Sequence, residues 1–179
     1  MSKYIYLVVG PSGSGKTTIV SELCRRYGYH SVNSFTTRPK RYNGEQGHIF
    51  VTKSEFDELR PKMCAYTIFD GNEYGATSKQ VSKNDFYVID EAGIEYFENH
   101  YKEGKIPIIL YIDASAEQVQ MRMASRGDSK EQIKSRQNFD AGRKSLSDKF
   151  NKFPFFYVMN NDLEETIMTI KNFMSLREG

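Results

Sequence analysis

Apolar residues fall along this chain in two rhythms. Tyr4 to Gly10 (YIYLVVG) is a short continuous apolar run closed by a glycine-rich turn, as in a buried strand. From Lys16 to Tyr27 the apolar positions Ile19, Val20, Leu23, Cys24 and Tyr27 recur at helical spacing, and Gly28 supplies a stop. Further short strands are expected at Phe86 to Asp90, Pro107 to Asp113 and Phe155 to Asn160. Helical patterns cover Glu91 to Tyr101, Ala116 to Ser125, Lys130 to Phe150 and Leu163 to Leu176. Strands alternating with helices predict an α/β fold, a parallel sheet flanked by helices on both faces.

The stretch from Ser34 to Gln80 interrupts that alternation. It holds short alternating runs at His48 to Thr52 and Cys64 to Phe69, and one short helix near Ser54 to Leu59. Turns are signalled at Asn43-Gly44 and Asp70-Gly71-Asn72. A small mixed subdomain inserted between the first helix and the second core strand accounts for it.

With 179 residues, 39% hydrophobic and 27% charged, the chain can bury a core, which excludes wholesale disorder. No apolar run approaches the ~20 residues of a membrane-spanning helix. The first residues lack the basic-then-apolar layout of a signal peptide. A soluble cytoplasmic protein with no membrane partner is the expectation. Twenty-five Lys and Arg against 23 Asp and Glu leave +2, too balanced to suggest nucleic acid as a partner. Cys24 and Cys64 read as buried or half-buried thiols of a reducing compartment. His30, His48 and His100 have no spacing suited to zinc.

The chemistry starts at Gly10-Pro11-Ser12-Gly13-Ser14-Gly15-Lys16-Thr17, which fits G-x-x-x-x-G-K-[ST] between a strand and a helix. The glycines permit a tight backbone that turns N–H groups toward an anion, and the helix N-terminus adds its dipole. Lys16 can reach β- and γ-phosphates, and the Thr17 hydroxyl can ligate Mg²⁺. Nucleoside-triphosphate binding follows. Asp90-Glu91-Ala92-Gly93 matches the D-x-x-G of a GTPase, but the N-K-x-D that would read guanine is missing, since Asn151-Lys152-Phe153-Pro154 lacks the aspartate. Asp90 then reads as an acid at the carboxyl end of a strand, where open α/β sheets bind ligands, or as the N-cap of the next helix.

In Ser34-Phe35-Thr36-Thr37-Arg38-Pro39-Lys40-Arg41, two arginines three apart can grip one phosphate from two sides. Beside a triphosphate loop this implies an acceptor nucleotide; the alternative is a solvated basic loop. Arg122 and Arg126 are four apart and share a helix face. Gly127 breaks that helix, Ser129 to Gln132 offers a capping box for the next, and Arg136 lies about two turns inside it.

Taken together, these landmarks make the chain resemble a guanylate kinase over nearly its whole length. The family's opening motif stands as GPSGSGKT and its S-x-T-T-R-x-P-R as Ser34 to Arg41, with the proline displaced to Pro39. Its aromatic-x-G-N-x-Y-G is Phe69 to Gly75, its lid R-x-x-x-R-G is Arg122 to Gly127, and its V-x-N-x-D-L is Val158 to Leu163. The resemblance implies one domain: a P-loop core (1–33, 81–121, 151–179), a mixed α+β monophosphate-binding subdomain (34–80) and a helical lid (122–150). It implies transfer of the γ-phosphoryl group of ATP, with Mg²⁺, to GMP or dGMP. By the same resemblance, Ser34, Arg38, Arg41, Tyr74 and Asp90 surround the acceptor. Lys16, Arg122, Arg126 and Arg136 act on the transferring group, and Asn160 lies near the ATP base.

Three positions depart from the family pattern. The tyrosine that helps hold the acceptor phosphate falls at His48, the glutamate that reads guanine at Ala65, and its hydroxyl partner at Ala76, with Thr77 adjacent. Asp70 or Glu73 could substitute from the same hairpin, although strand alternation need not point them at the site. The phosphate grip is therefore expected to be fuller than the base reading. The competing readings are a kinase of another monophosphate and a non-catalytic module of the same fold. Such modules typically degrade the phosphate loop, which this chain keeps.

Overall fold

The computed structural model describes residues 2–102, 104–125, 127, 131 and 152–178. Apart from residue 131, the helix expected over Lys130 to Phe150 and its capping box lie outside these residues, as do Arg126 and Arg136. The described chain gathers into two units, Met1–Leu7 with Tyr29–Ile106 and Val8–Gly28 with Pro107–Gly179. Strand β1 (Tyr4–Val9) runs from one into the other.

In the second unit the end of β1 leads through the glycine loop into α1 (Lys16–Tyr27). Gly28 ends α1 in the left-handed conformation and donates its N–H to the Cys24 carbonyl at 3.0 Å, while Arg25 and Arg26 occupy the negative end of the helix dipole. Strand β7 (Ile106–Asp113) starts at the unit boundary, and α5 (Ala116–Ser125) follows it. Strand β8 (Phe155–Met159) pairs with β7 in parallel register, Ile109 opposite Phe155 and Asp113 opposite Met159. The last helix, α6 (Leu163–Glu178), packs against α1, and Arg26 forks onto both oxygens of Glu164 at 2.5 Å. Ile19 and Leu23, on the face their spacing assigns to the core, are fully buried, as are Ile108 to Leu110, Met123, Ile167 and Ile170.

The first unit carries a second sheet, in the order β3-β2-β5-β4. Its strands are β2 (Ser34–Thr36), β3 (His48–Phe50), β4 (Met63–Phe69) and β5 (Asn72–Thr77). Strands β2 and β3 are parallel, while β5 runs antiparallel to both β2 and β4. The β4–β5 hairpin turns at Asp70 and Gly71, whose φ values of 49° and 70° are those of a primed turn, the usual conformation for an Asp-Gly pair. Helix α2 (Lys53–Leu59) opens with a reciprocal Thr52–Glu55 capping box, and a single 3₁₀ turn (Arg60–Lys62) delivers the chain to β4. Strand β6 (Phe86–Val88) and helix α4 (Glu91–His100) complete the unit, with α4 packed on β4. The first sheet has the order β6-β1-β7-β8 and is parallel, as the alternation predicted.

Two elements lack a hydrophobic rhythm and are absent from the sequence reading. Strand β2 has only three residues, two of them hydroxyl-bearing. Helix α3 (Ser78–Ser82) buries only Val81, and its signal is a second capping box, Thr77–Gln80. The strand expected over Phe86 to Asp90 stops at Val88, because Asp90 is extended backbone capping α4. Neither cysteine is in a disulfide, and Cys64 is buried. Among the described residues no helix is long and apolar enough to cross a membrane.

Candidate active site

The phosphate loop lies wholly in the second unit. Gly10, Gly13 and Gly15 have φ values of 149°, 82° and 95°, a region that side-chain-bearing residues avoid. A Cβ on Gly10 would collide with the Ile112 carbonyl oxygen, and one on Gly15 with the Asn160 amide. One on Gly13 would press the Met123 and Val119 side chains at 3.1 and 3.2 Å. The loop is thus a bare backbone cradle at the mouth of α1, whose first turn contains no acidic residue. It fits a chain of phosphates. Lys16 lies back over it, Nζ donating to the carbonyls of Gly10 and Pro11, both at 2.7 Å. Thr17 is exposed on the first turn of α1, so its hydroxyl can join phosphate oxygens around a Mg²⁺ ion, which takes few protein ligands.

Two side chains brace the loop from behind. Asn160, 2% exposed, donates its amide to the Ser14 carbonyl at 2.7 Å, and its Oδ1 accepts from the Thr166 hydroxyl at 3.2 Å. Arg122 on α5 donates to the Ser14 carbonyl at 3.2 Å and to the Asn160 carbonyl at 2.9 Å, and burial lowers its pKa. The expected adenine contact for Asn160 and lid role for Arg122 are residue roles; in the structure both hold the loop's backbone. Thr166, which fixes Asn160, escaped sequence reasoning because its link to the loop is purely tertiary.

The residues expected around an acceptor lie in the first unit. Ser34 on β2 faces His48 on β3 in register, with Ser34 Oγ 2.9 Å from His48 Nδ1. The Tyr74 ring meets the His48 ring edge-on at 5.6 Å. Arg38 forks onto Glu45, Nη2–Oε1 at 2.7 Å and Nη1–Oε2 at 3.3 Å, and Glu45 also accepts the Arg41 backbone N–H at 2.7 Å. The Arg38 bond, then the Arg41 N–H, hold the Glu45 carboxyl down at about 2. Arg41 itself is exposed. Glu45 is the residue of this cluster that sequence reasoning missed; lying in a turn, it carries no periodic signal.

Asp90 serves both readings of D-x-x-G. Its Oδ1 accepts the Gly93 N–H at 2.7 Å, capping α4, and its Oδ2 accepts the Thr67 hydroxyl at 2.9 Å. A Cβ on Gly93 would lie 2.9 Å from that same Oδ1, so the glycine makes room for the cap. Thr67, unnoticed in the sequence, stands two residues beyond Ala65 on the same strand face, which alternation alone could have revealed. Ala65 and Ala76 pair across β4 and β5, and both are fully buried. Glu73 points to the other face, where Arg60, Lys53 and the Tyr66 hydroxyl engage it. Burial raises its pKa, but these bonds outweigh burial and leave it lowered. Asp70 occupies the hairpin turn. Neither carboxylate stands in for the glutamate missing at Ala65.

The guanylate kinase family model matches residues 2–177. A guanylate kinase of Nostoc sp. is 31% identical, the match covering 96% of this chain and 89% of that protein. One of Clostridium tetani is 30% identical, covering 98% and 87%. The crystal structure of guanylate kinase from Anaplasma phagocytophilum superposes with a TM-score of 0.61 over 98% of this chain and 86% of that one; at 19% identity it speaks for the fold. A match spanning nearly every residue, joined to the glycine cradle and the Ser34–Arg38–Tyr74 cluster, places the chain in the guanylate kinase family.

Proposed function

We propose that the protein is an ATP-dependent nucleoside monophosphate kinase with GMP, or dGMP, as its acceptor. The carrying observation is the intact phosphate loop, with its positive-φ glycines and Lys16 poised over it. A non-catalytic module has no use for that lysine. An oxygen of the acceptor phosphate attacks the γ-phosphorus in line, and the bond to the β,γ-bridging oxygen breaks to release ADP. The attacking oxygen is already anionic near neutral pH, so no general base is required.

Lys16 leaves the Gly10 and Pro11 carbonyls for the β- and γ-phosphates and offsets charge as it develops. Loop N–H groups bind and orient the triphosphate, and Arg122 and Asn160 keep that backbone rigid. Thr17 would hold Mg²⁺, which would supply further neutralisation of the triphosphate's charge. Arg126 and Arg136 belong to the proposed lid (122–150), and Ser34, Arg38, Arg41, Tyr74 and Asp90 hold the acceptor in the proposed subdomain (34–80). Cytoplasmic action in purine nucleotide metabolism fits two cysteines that form no disulfide.

The test is a coupled assay offering ATP with GMP, AMP, CMP, UMP and their deoxy forms in turn. GMP or dGMP turning over fastest supports the reading. Preference for another base would reassign the acceptor, and absence of ADP formation with every monophosphate would leave the binding-module reading.

A further inference from the structure

An imidazole at position 48 differs chemically from a phenol in one respect that matters beside a phosphate: it can change charge near neutral pH. His48 opens β3 directly across from Ser34, its Nδ1 2.9 Å from the serine hydroxyl. Tyr74 of β5 closes on the ring at 5.6 Å, and Phe50 of the same strand lies edge-on at 6.1 Å. The charged groups facing it come from the loop between β2 and β3: Arg38, Arg41 and Glu45. Burial first, and then the charge of Arg38, push the imidazole below its ordinary pKa, with Glu45 and a hydrogen bond to the Ser34 backbone opposing. The ring is therefore neutral above neutral pH before a nucleotide binds.

Donor bookkeeping leaves that state one donor short of what the pair can offer a phosphate. If Nδ1 of a neutral ring accepts the Ser34 proton, Nε2–H can donate but the serine has no proton left to give. If Nδ1 instead carries the proton and donates to Ser34 Oγ, then Nε2 presents a lone pair to an anion. Only the imidazolium lets both groups act: Nδ1–H donates to Ser34 Oγ, the Ser34 hydroxyl proton is released for the phosphate, and Nε2–H becomes a second donor. A dianion arriving among Ser34, Arg38 and Tyr74 supplies the electrostatic reason to take up that proton.

Resting on the acceptor reading above, we propose that His48 is a ligand of the acceptor's phosphate that takes up one proton from solvent as the phosphate binds, so that Nδ1–H donates to Ser34 Oγ while Nε2–H and the Ser34 hydroxyl both face the phosphate. No covalent bond breaks; the proton comes from the buffer and is returned when the nucleotide leaves. Acceptor affinity in this chain then falls as pH rises, a dependence that a phenol at position 48 would not give below pH ~9.

The test measures KM for GMP and for ATP from pH 7 to 8.5, above the phosphate's own second ionisation near ~6, in wild type, His48→Gln and His48→Tyr. Calorimetry of GMP binding in buffers of different ionisation enthalpy counts protons directly. Wild type is expected to lose affinity for GMP by at least about fivefold across that range, as a one-proton linkage requires, while KM for ATP changes less than about twofold. It should take up a proton per GMP at pH 7.5. Both variants should show a flat KM and no uptake, with His48→Tyr binding GMP better than wild type at pH 8.5. A flat wild-type profile with GMP still phosphorylated overturns the role of His48 alone, as does an unchanged slope in His48→Gln. Failure to phosphorylate GMP at any pH overturns the acceptor reading itself.

Discussion

Lys16 and Arg38 are both held by partners within the chain, with which, on the proposed reading, nucleotide phosphates compete. Lys16 rests on two carbonyls of its own loop, so Lys16→Ala removes the charge without disturbing the glycines that shape the cradle. Its kcat is expected to fall at least ~100-fold, with circular dichroism and melting temperature near wild type. Arg38 is bound by Glu45, whose side chain is only 7% exposed, so a phosphate must compete for or share the guanidinium. Arg38→Ala should raise KM for GMP at least about tenfold and leave KM for ATP nearly unchanged, because one substrate alone loses its partner. Steady-state kinetics with each substrate varied in turn decides it. On the proposed acceptor reading, the side chains of Ala65 and Ala76 offer the base no donor or acceptor. The kcat/KM advantage of GMP over AMP is therefore expected nearer the ~10–200-fold of shape selection than the ~10⁴–10⁵ of a carboxylate-lined site.

At the scale of elements, the phosphate loop is a connection whose shape is set from outside. Its glycines allow the turn, but the Ser14 carbonyl is pinned by Asn160 from the end of β8 and by Arg122 from α5. Asn160→Ala removes the main brace of the Ser14 carbonyl, while the Thr166 hydroxyl keeps the Asp162 carbonyl at 2.6 Å, a loss of about 0.5–1.5 kcal/mol for the missing hydrogen bond. Lower melting temperature together with a raised KM for ATP, GMP unaffected, is the expected result. An adenine contact would instead shift the preference between ATP and other triphosphates without changing stability, so melting curves and a nucleotide-donor panel separate the two roles. The acceptor elements follow the same logic. Helix α4 owes its start to Asp90, whose other oxygen ties it to Thr67 on β4.

For the whole molecule, acid is the most informative stress. The carboxyls of Glu22 and Glu45 are each held at about 2, by Arg25 and Arg26 and by Arg38 and the Arg41 N–H respectively. A folded pKa below the unfolded value near ~4.3 means the contribution is complete above that value and is lost as pH falls toward 2. Urea midpoints should hold steady from pH 7 to 5 and then fall. Glu45→Gln should start lower at pH 7 and lose less than wild type between pH 5 and 3. Equal losses in both proteins would mean that the Arg38–Glu45 pair contributes nothing to global stability.

Elements that carry periodic or chemically specific signals are legible in the amino-acid order alone. Helices α1 and α5, the core strands and the glycine loop are legible because 3.6-residue and two-residue rhythms, and positive-φ glycines before Lys-Thr, are local properties of the chain. The register that sets Ser34 against His48, the pairing of Arg38 with Glu45, the tie from Thr67 to Asp90 and the grip of Asn160 on Ser14 were decided only by tertiary structure. Each joins residues whose contact depends on how strands align or a turn closes, and hydrogen-bond partners leave no periodic mark. Glu73 shows the limit most sharply: its place in the same hairpin as Ala65 makes it a candidate base reader, and the pleat of β5 sends it to Arg60 and Lys53 on the opposite face.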